Sequence, residues 1–174
     1  MVMIELLILY TLRKNAKTIY AVRRDIIEVF GTFTTPSIGT IHPAIKRLEQ
    51  KGCLTCTERM SEGGKKSSYY KLTEKGQEFF RELFFSDISE NPSLFYGHLQ
   101  ARFGTLSMLN VEDRKKFISD ITKKLEIYSF EVEDKINDEL ISLDYFQKAL
   151  LKRTLNEIKA LQTFVRNLKV ENDG

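Results

Sequence analysis

Residues 2–13 are apolar around nearly the whole helical circumference, which predicts a helix buried between other elements. Over residues 18–30 the pattern narrows to one face, with Ile19, Val22, Ile26, Val29 and Phe30 at helical spacing and Gly31 as the stop. Thr34-Thr35-Pro36-Ser37 reads as a turn with capping residues. Ile41, Ile45 and Leu48 then mark a third helix that ends at Gly52. Pro43 has no N–H to donate and is harmless only if the helix starts near Thr40; the start is left between Ser37 and Thr40. Residues 53–60 and 67–72 are strand-like and flank a turn, Ser61-Glu62-Gly63-Gly64-Lys65-Lys66. Thr73-Glu74-Lys75-Gly76 opens another helix, carrying Phe79, Phe80, Leu83 and Phe84. Three helices, a hairpin and a helix make a helix-turn-helix with a β-wing.

Residues 86–110 are broken by Asn91-Pro92, Gly97 and Gly104, and predict a connecting segment with a short helix near 93–102. Two long helical patterns close the chain. Ile118, Ile121, Leu125, Tyr128 and Val132 form one stripe; Leu151, Leu155, Ile158, Leu161, Val165 and Leu168 form the other. Both are near heptad spacing, so the helices should pack at a shallow angle. A single hairpin buries only one seam, and an exposed apolar stripe usually marks an interface. A twofold pairing through the second stripe, with residues 2–13 as a further contributor, would cover it. The expectation is a mainly α protein with one small β-hairpin. It comprises a winged helix-turn-helix over 1–85, a connector over 86–110 and a helical dimerisation domain over 111–174.

Charge sharpens this picture. The net charge of +3 decides little, but residues 1–76 carry 13 Lys and Arg against 7 Asp and Glu, whereas residues 77–174 carry 14 against 17. A basic first half beside an acidic second half points to a nucleic-acid contact on the first. The apolar start is interrupted by Glu5, is followed by Arg13 and Lys14, and is too short to span a bilayer, so the chain reads as cytoplasmic with no membrane partner. Cys53 and Cys56 have C-x-x-C spacing, but no second pair accompanies them, and a strand holds such residues on opposite faces. No cofactor or metal is expected. His42 and His98 are the only histidines, and nothing around them has the spacing of a nucleophile or metal site, which argues against an enzyme.

The run from Pro36 to Gly52, with Gly39-Thr40-Ile41-His42-Pro43-Ala44-Ile45 followed by Lys46-Arg47-Leu48 and Gly52, resembles the recognition-helix signature of the PadR family of transcriptional regulators. Tyr69-Tyr70-Lys71-Leu72-Thr73-Glu74-Lys75-Gly76 is similar to that family's wing and exit, and Tyr20 falls where the family has the Tyr of a Gly-Tyr-Glu motif. Phe84-Phe85 and Asp144-Tyr145-Phe146 resemble the branch with a longer C-terminal domain, often called Vir-type. Two departures stand out: His42 replaces a Tyr, and Ala21-Val22 follow Tyr20 in place of Glu and an aliphatic residue. The resemblance implies a repressor, a homodimer on DNA, and release by a small aromatic effector of phenolic or planar hydrophobic type.

The chemistry of the residues points the same way. The first turn of a helix laid in the major groove reaches base edges. Ser37, Thr40 and His42 fall in or beside that turn; His42 is either a reader or an N-terminal packing residue. Lys46 and Arg47 suit phosphates, the alternative being a solvated helix face. Lys65 and Lys66 at the wing tip suit backbone or minor-groove contact, and Tyr20 and Tyr69 complete the DNA-binding set. The partners expected are double-stranded DNA and a second copy of the chain. A competing reading is a dimeric helical protein-interaction module with only non-specific nucleic-acid binding.

Overall fold

Side-chain caps set the helix starts. Thr18, Ser37, Thr73, Asn110 and Asp144 each accept the N–H of the residue three positions on, which satisfies a donor that the first turn would otherwise leave open. Asp144 and Gln147 close the reciprocal arrangement, with bonds of 2.8 and 2.9 Å. The computed structural model describes residues 2–60, 64, 66–86, 88 and 92–171. Its elements are α1 (Val2–Thr11), α2 (Ile19–Phe30), α3 (Ile38–Gln50), β1 (Leu54–Met60), β2 (Lys66–Leu72), α4 (Glu74–Phe85), α5 (Pro92–Thr105), a short 3-10 turn (Leu106–Met108), α6 (Val111–Asn137) and α7 (Tyr145–Asn167). They form two compact units, Met1–Leu109 and Asn110–Gly174.

In the first unit α1 is the central helix. Leu6, Leu7, Ile8 and Leu9 are wholly buried, because α2, α3, α4 and α5 all pack on α1. Sequential burial of four consecutive residues is what an all-round apolar helix requires. The helix-turn-helix follows, with Val22, Ile26 and Phe30 of α2 and Ile41, Ala44, Ile45 and Leu48 of α3 facing inward. The C-terminus of α3 is a double-bonded glycine cap. Gly52 sits at φ 74°, its N–H donates to Glu49, and Cys53 N–H donates to Leu48. The wing is an antiparallel ladder from Leu54↔Leu72 to Met60↔Lys66. Lys17 adds a bridge, exchanging backbone bonds of 2.9 and 3.0 Å with Tyr70, so the segment before α2 is tied to the wing.

The helix α3 begins at Ile38 behind the Ser37 cap, within the range expected for its start, and Pro43 lies inside it. The stretch near 93–102 is longer than expected and is not a bare connector: α5 packs on α1, and Gly104 lies so close to Phe30 that a Cβ would come within 2.4 Å of the ring. Arg102 of α5 is 1% exposed. It donates to the carbonyls of Phe84 and Ser86, each at 2.8 Å, and to that of His98 at 3.3 Å.

His98 has a buried Nδ1 with no hydrogen-bond partner among the described residues. Burial, and then the Arg102 guanidinium, hold the imidazole below its usual value of 6.5. The unfolded chain therefore takes up this proton first as pH falls, and stability contributed above about pH 6.5 is lost below it. In urea titrations His98→Phe is expected to flatten that part of the acid-side slope; an identical slope would assign it to other groups.

In the second unit α6 and α7 form an antiparallel hairpin. Phe117, Ile121 and Leu125 of α6 and Ile158 and Val165 of α7 are buried. Gln162 donates to the Leu125 carbonyl at 3.2 Å, and Lys159 pairs with Glu133. The stripe singled out on α7 thus serves as an intramolecular seam: Ile158 and Val165 are buried, while Leu151, Leu155, Leu161 and Leu168 are half-buried.

Candidate nucleic-acid interface

The first turn of α3 is built for exposure. Ser37 Oγ accepts the Thr40 N–H at 3.1 Å and lies 3.0 Å from Thr40 Oγ1. Because Ile41, Ala44, Ile45 and Leu48 take the inner face, Gly39, Thr40, His42, Pro43 and Lys46 are left on the outer one. That is a helix presenting small and medium polar groups, with a cation one turn further on.

Beside it lies a cleft of about 430 Å³ between the start of α2, the outer side of α3 and strand β2. Thr18, Ile19 and Tyr20 form one wall, His42 and Lys46 the second, and Lys66, Ser67, Ser68 and Tyr70 the third. The capped N-terminus of α2 contributes the positive end of its backbone dipole to this cleft. Tyr70 is buried at the base, and burial pushes its phenol above the usual range. Lys46 lies 5.8 Å from the Tyr70 ring centroid and pairs with Glu49 at 2.9 Å. The hydrogen bond to Glu49, and then the field of Tyr70 and Glu49, raise the Lys46 ammonium above its usual value, so it stays charged. Lys66 pairs across the ladder with Glu58. The arrangement is a concave, hydroxyl-lined, cationic surface beside an exposed helix turn, suited to a phosphate backbone and the groove next to it.

Of the residues singled out from sequence, Tyr20, His42, Lys46 and Lys66 line this cleft, and Ser37 and Thr40 sit on the adjoining turn. Arg47 lies elsewhere: its guanidinium reaches back to Glu5 on α1 at 3.0 Å, tying α3 to the core. Tyr69 occupies the opposite face of the wing from Tyr70, with the Arg59 guanidinium 4.8 Å from its ring centroid. Lys65 lies outside the described residues. Sequence reading passed over Tyr70, Ser67 and Ser68; strand alternation alone, with Leu72 and Tyr70 on one face, carried the signal for Tyr70. It also passed over the Lys17–Asp25 pair that braces the entry to α2. Among the described residues no His, Cys, Asp and Glu group could hold a metal ion, and no helix is long and apolar enough to cross a membrane.

Three helices, a wing and a basic cleft beside the third helix define a winged helix-turn-helix DNA-binding protein. Residues 8–82 match the model of the transcriptional regulator PadR-like family, and the chain belongs to that family, whose members are transcription regulators and not enzymes. No curated protein sequence matches it. Among solved structures it is similar to Bacillus subtilis PadR in complex with operator DNA, at 20% identity over 93% of each chain with a TM-score of 0.46. The same protein in complex with p-coumaric acid gives 20% identity over 94% of this chain and 92% of that one, with a TM-score of 0.41. A PadR family transcription regulator from Clostridium difficile gives 28% identity over 45% of this chain and 80% of that one, with a TM-score of 0.40.

Proposed function

We propose that the chain is a cytoplasmic, sequence-specific repressor that binds a near-palindromic operator as a homodimer. The observation that carries this reading is the juxtaposition of the exposed first turn of α3 with the Lys46 and Lys66 cleft. A helix turn with Thr40 and His42 suits base edges, whereas the cleft suits one sugar-phosphate strand. Arg47 acts in this reading by holding α3 on α1, and Tyr69 and Lys65 extend the contact along the wing. A small aromatic effector is part of the proposal, since Bacillus subtilis PadR has been solved with p-coumaric acid. The decisive experiment is selection of bound duplexes from random DNA, followed by titration against salt. One enriched, near-palindromic motif with a steep salt dependence supports the reading. Equal recovery of all sequences would favour a module with only non-specific binding.

Two sets of substitutions separate the roles. Lys46→Ala with Lys66→Ala should weaken all sequences alike and reduce the log–log salt slope by about 0.9 for each phosphate no longer neutralised. An unchanged slope removes the cleft from the interface. Thr40→Ala or His42→Ala should reduce specific binding by about 1–3 kcal/mol for each base edge no longer read, and leave non-specific binding nearly intact. A parallel fall in both, with early melting, would make these residues structural.

A further inference from the structure

Pro43 is the sixth residue of α3, since the helix starts at Ile38 behind the Ser37 cap. At that depth a helical N–H would donate to the carbonyl four residues earlier, which is that of Gly39. Pro43 has no N–H to fill that place, and a proline ring at that depth crowds the same carbonyl. Gly39 and Pro43 are both exposed, on the face that carries Thr40, His42 and Lys46. Gly39 also has no side chain to keep a base edge at a distance, and the nearest atom to a Cβ built there is the Ser37 hydroxyl at 3.5 Å.

A carbonyl oxygen only accepts hydrogen bonds. Phosphate oxygens only accept too, so this group gains nothing from the DNA backbone and is repelled by it. In the major groove the donors are the exocyclic amino groups of cytosine and adenine; guanine and thymine show acceptors there. An acceptor desolvated on docking must meet a donor or weaken the complex. We infer that the main-chain carbonyl of Gly39 reads the amino group of a cytosine or adenine, and that Pro43 is the specificity-determining residue that leaves this carbonyl free. The inference rests on the DNA-binding reading above and adds to it a base class and a residue with no polar side chain.

The test uses the full chain and the duplex selected from random DNA. At each cytosine and adenine of the site the amino group is deleted in turn, with 2-pyrimidinone or purine as the replacement base. One position per half-site should cost the wild type about tenfold in affinity when its amino group is removed. Pro43→Ala restores the N–H and should melt no lower, because alanine favours the helix. It should be indifferent to deletion at that position and unchanged elsewhere, while Thr40→Ala and His42→Ala keep the dependence. If the wild type shows no amino-dependent position, the inference is overturned without any variant. If the dependence survives Pro43→Ala, a side chain reads that base and the inference is equally overturned. Should no sequence be selected at all, the regulator reading itself fails and this inference falls with it.

Discussion

Arg102→Met is expected to destabilise the first unit by about 3 kcal/mol, read as a lower urea midpoint with an unchanged slope. The guanidinium is 1% exposed and gathers carbonyls at the end of α4, Phe84 and Ser86, together with His98 on its own helix. The last carbonyls of a helix have no intrahelical donor, and burial removes water as the substitute. Each charge-assisted bond is worth roughly 1.5–3 kcal/mol. Against that stands desolvation of the guanidinium, which is large enough to push its pKa down to about 10. Replacing a buried ionic group by an apolar one of similar size is often neutral when both partners go. Here only the donor goes, and the backbone carbonyls stay buried, so their unmet hydrogen bonds decide the sign. Methionine adapts to the vacated volume, which keeps a cavity from confusing the result. An unchanged midpoint would mean that water satisfies those carbonyls and that Arg102 is dispensable.

The winged helix was legible because its signals are local. The 3-4 spacing on α2 and α3, Ser37 before Thr40, Gly52 after Gln50 and Gly64 between the wing strands each act within a few residues. What escaped reading depends on distant partners. Nothing around Arg102 announces that it will cap α4, sixteen to eighteen residues earlier. Arg47 looks like any exposed cation until α3 is laid against α1 and Glu5 meets it. Gly97 and Gly104 suggested a break, yet α5 runs through both; Gly104 is there for the approach of Phe30. Pro43 left the start of α3 open between Ser37 and Thr40, and the Ser37 side-chain cap decides it at Ile38. The stripe on α7 was correctly periodic, but periodicity does not say whether the covering face belongs to the same chain or to another.

A chain ending at Leu109 is expected to fold as a monomeric winged helix and to bind operator at least tenfold more weakly than the full chain. The end point follows the boundary of the first unit, which retains α5 and Arg102. One winged helix contacts few base pairs, whereas two joined by a dimer reach major grooves about 34 Å apart on a twofold site. Linking two modules raises avidity by about 10²–10⁴ where geometry permits, so tenfold is a lower bound. In the proposed dimer the pairing surface lies in the second unit. Ile158 and Val165 are already covered by α6, but Phe130 is 69% exposed, Leu140 95%, Tyr145 78% and Phe146 79%, with Leu150 beside them. These residues fall along the last turns of α6, the connection after it and the first turns of α7, with the half-buried Leu151 and Leu155 next in the chain. Large aromatic and aliphatic groups left in water are what an isologous interface covers. Sedimentation of both chains and a gel-shift titration supply the test. Phe130→Glu with Phe146→Glu in the full chain should reproduce the truncated behaviour without removing any helix. A full-length chain that sediments as a monomer at micromolar concentration sinks the dimer, and equal operator affinity for the two chains sinks the bivalent mechanism.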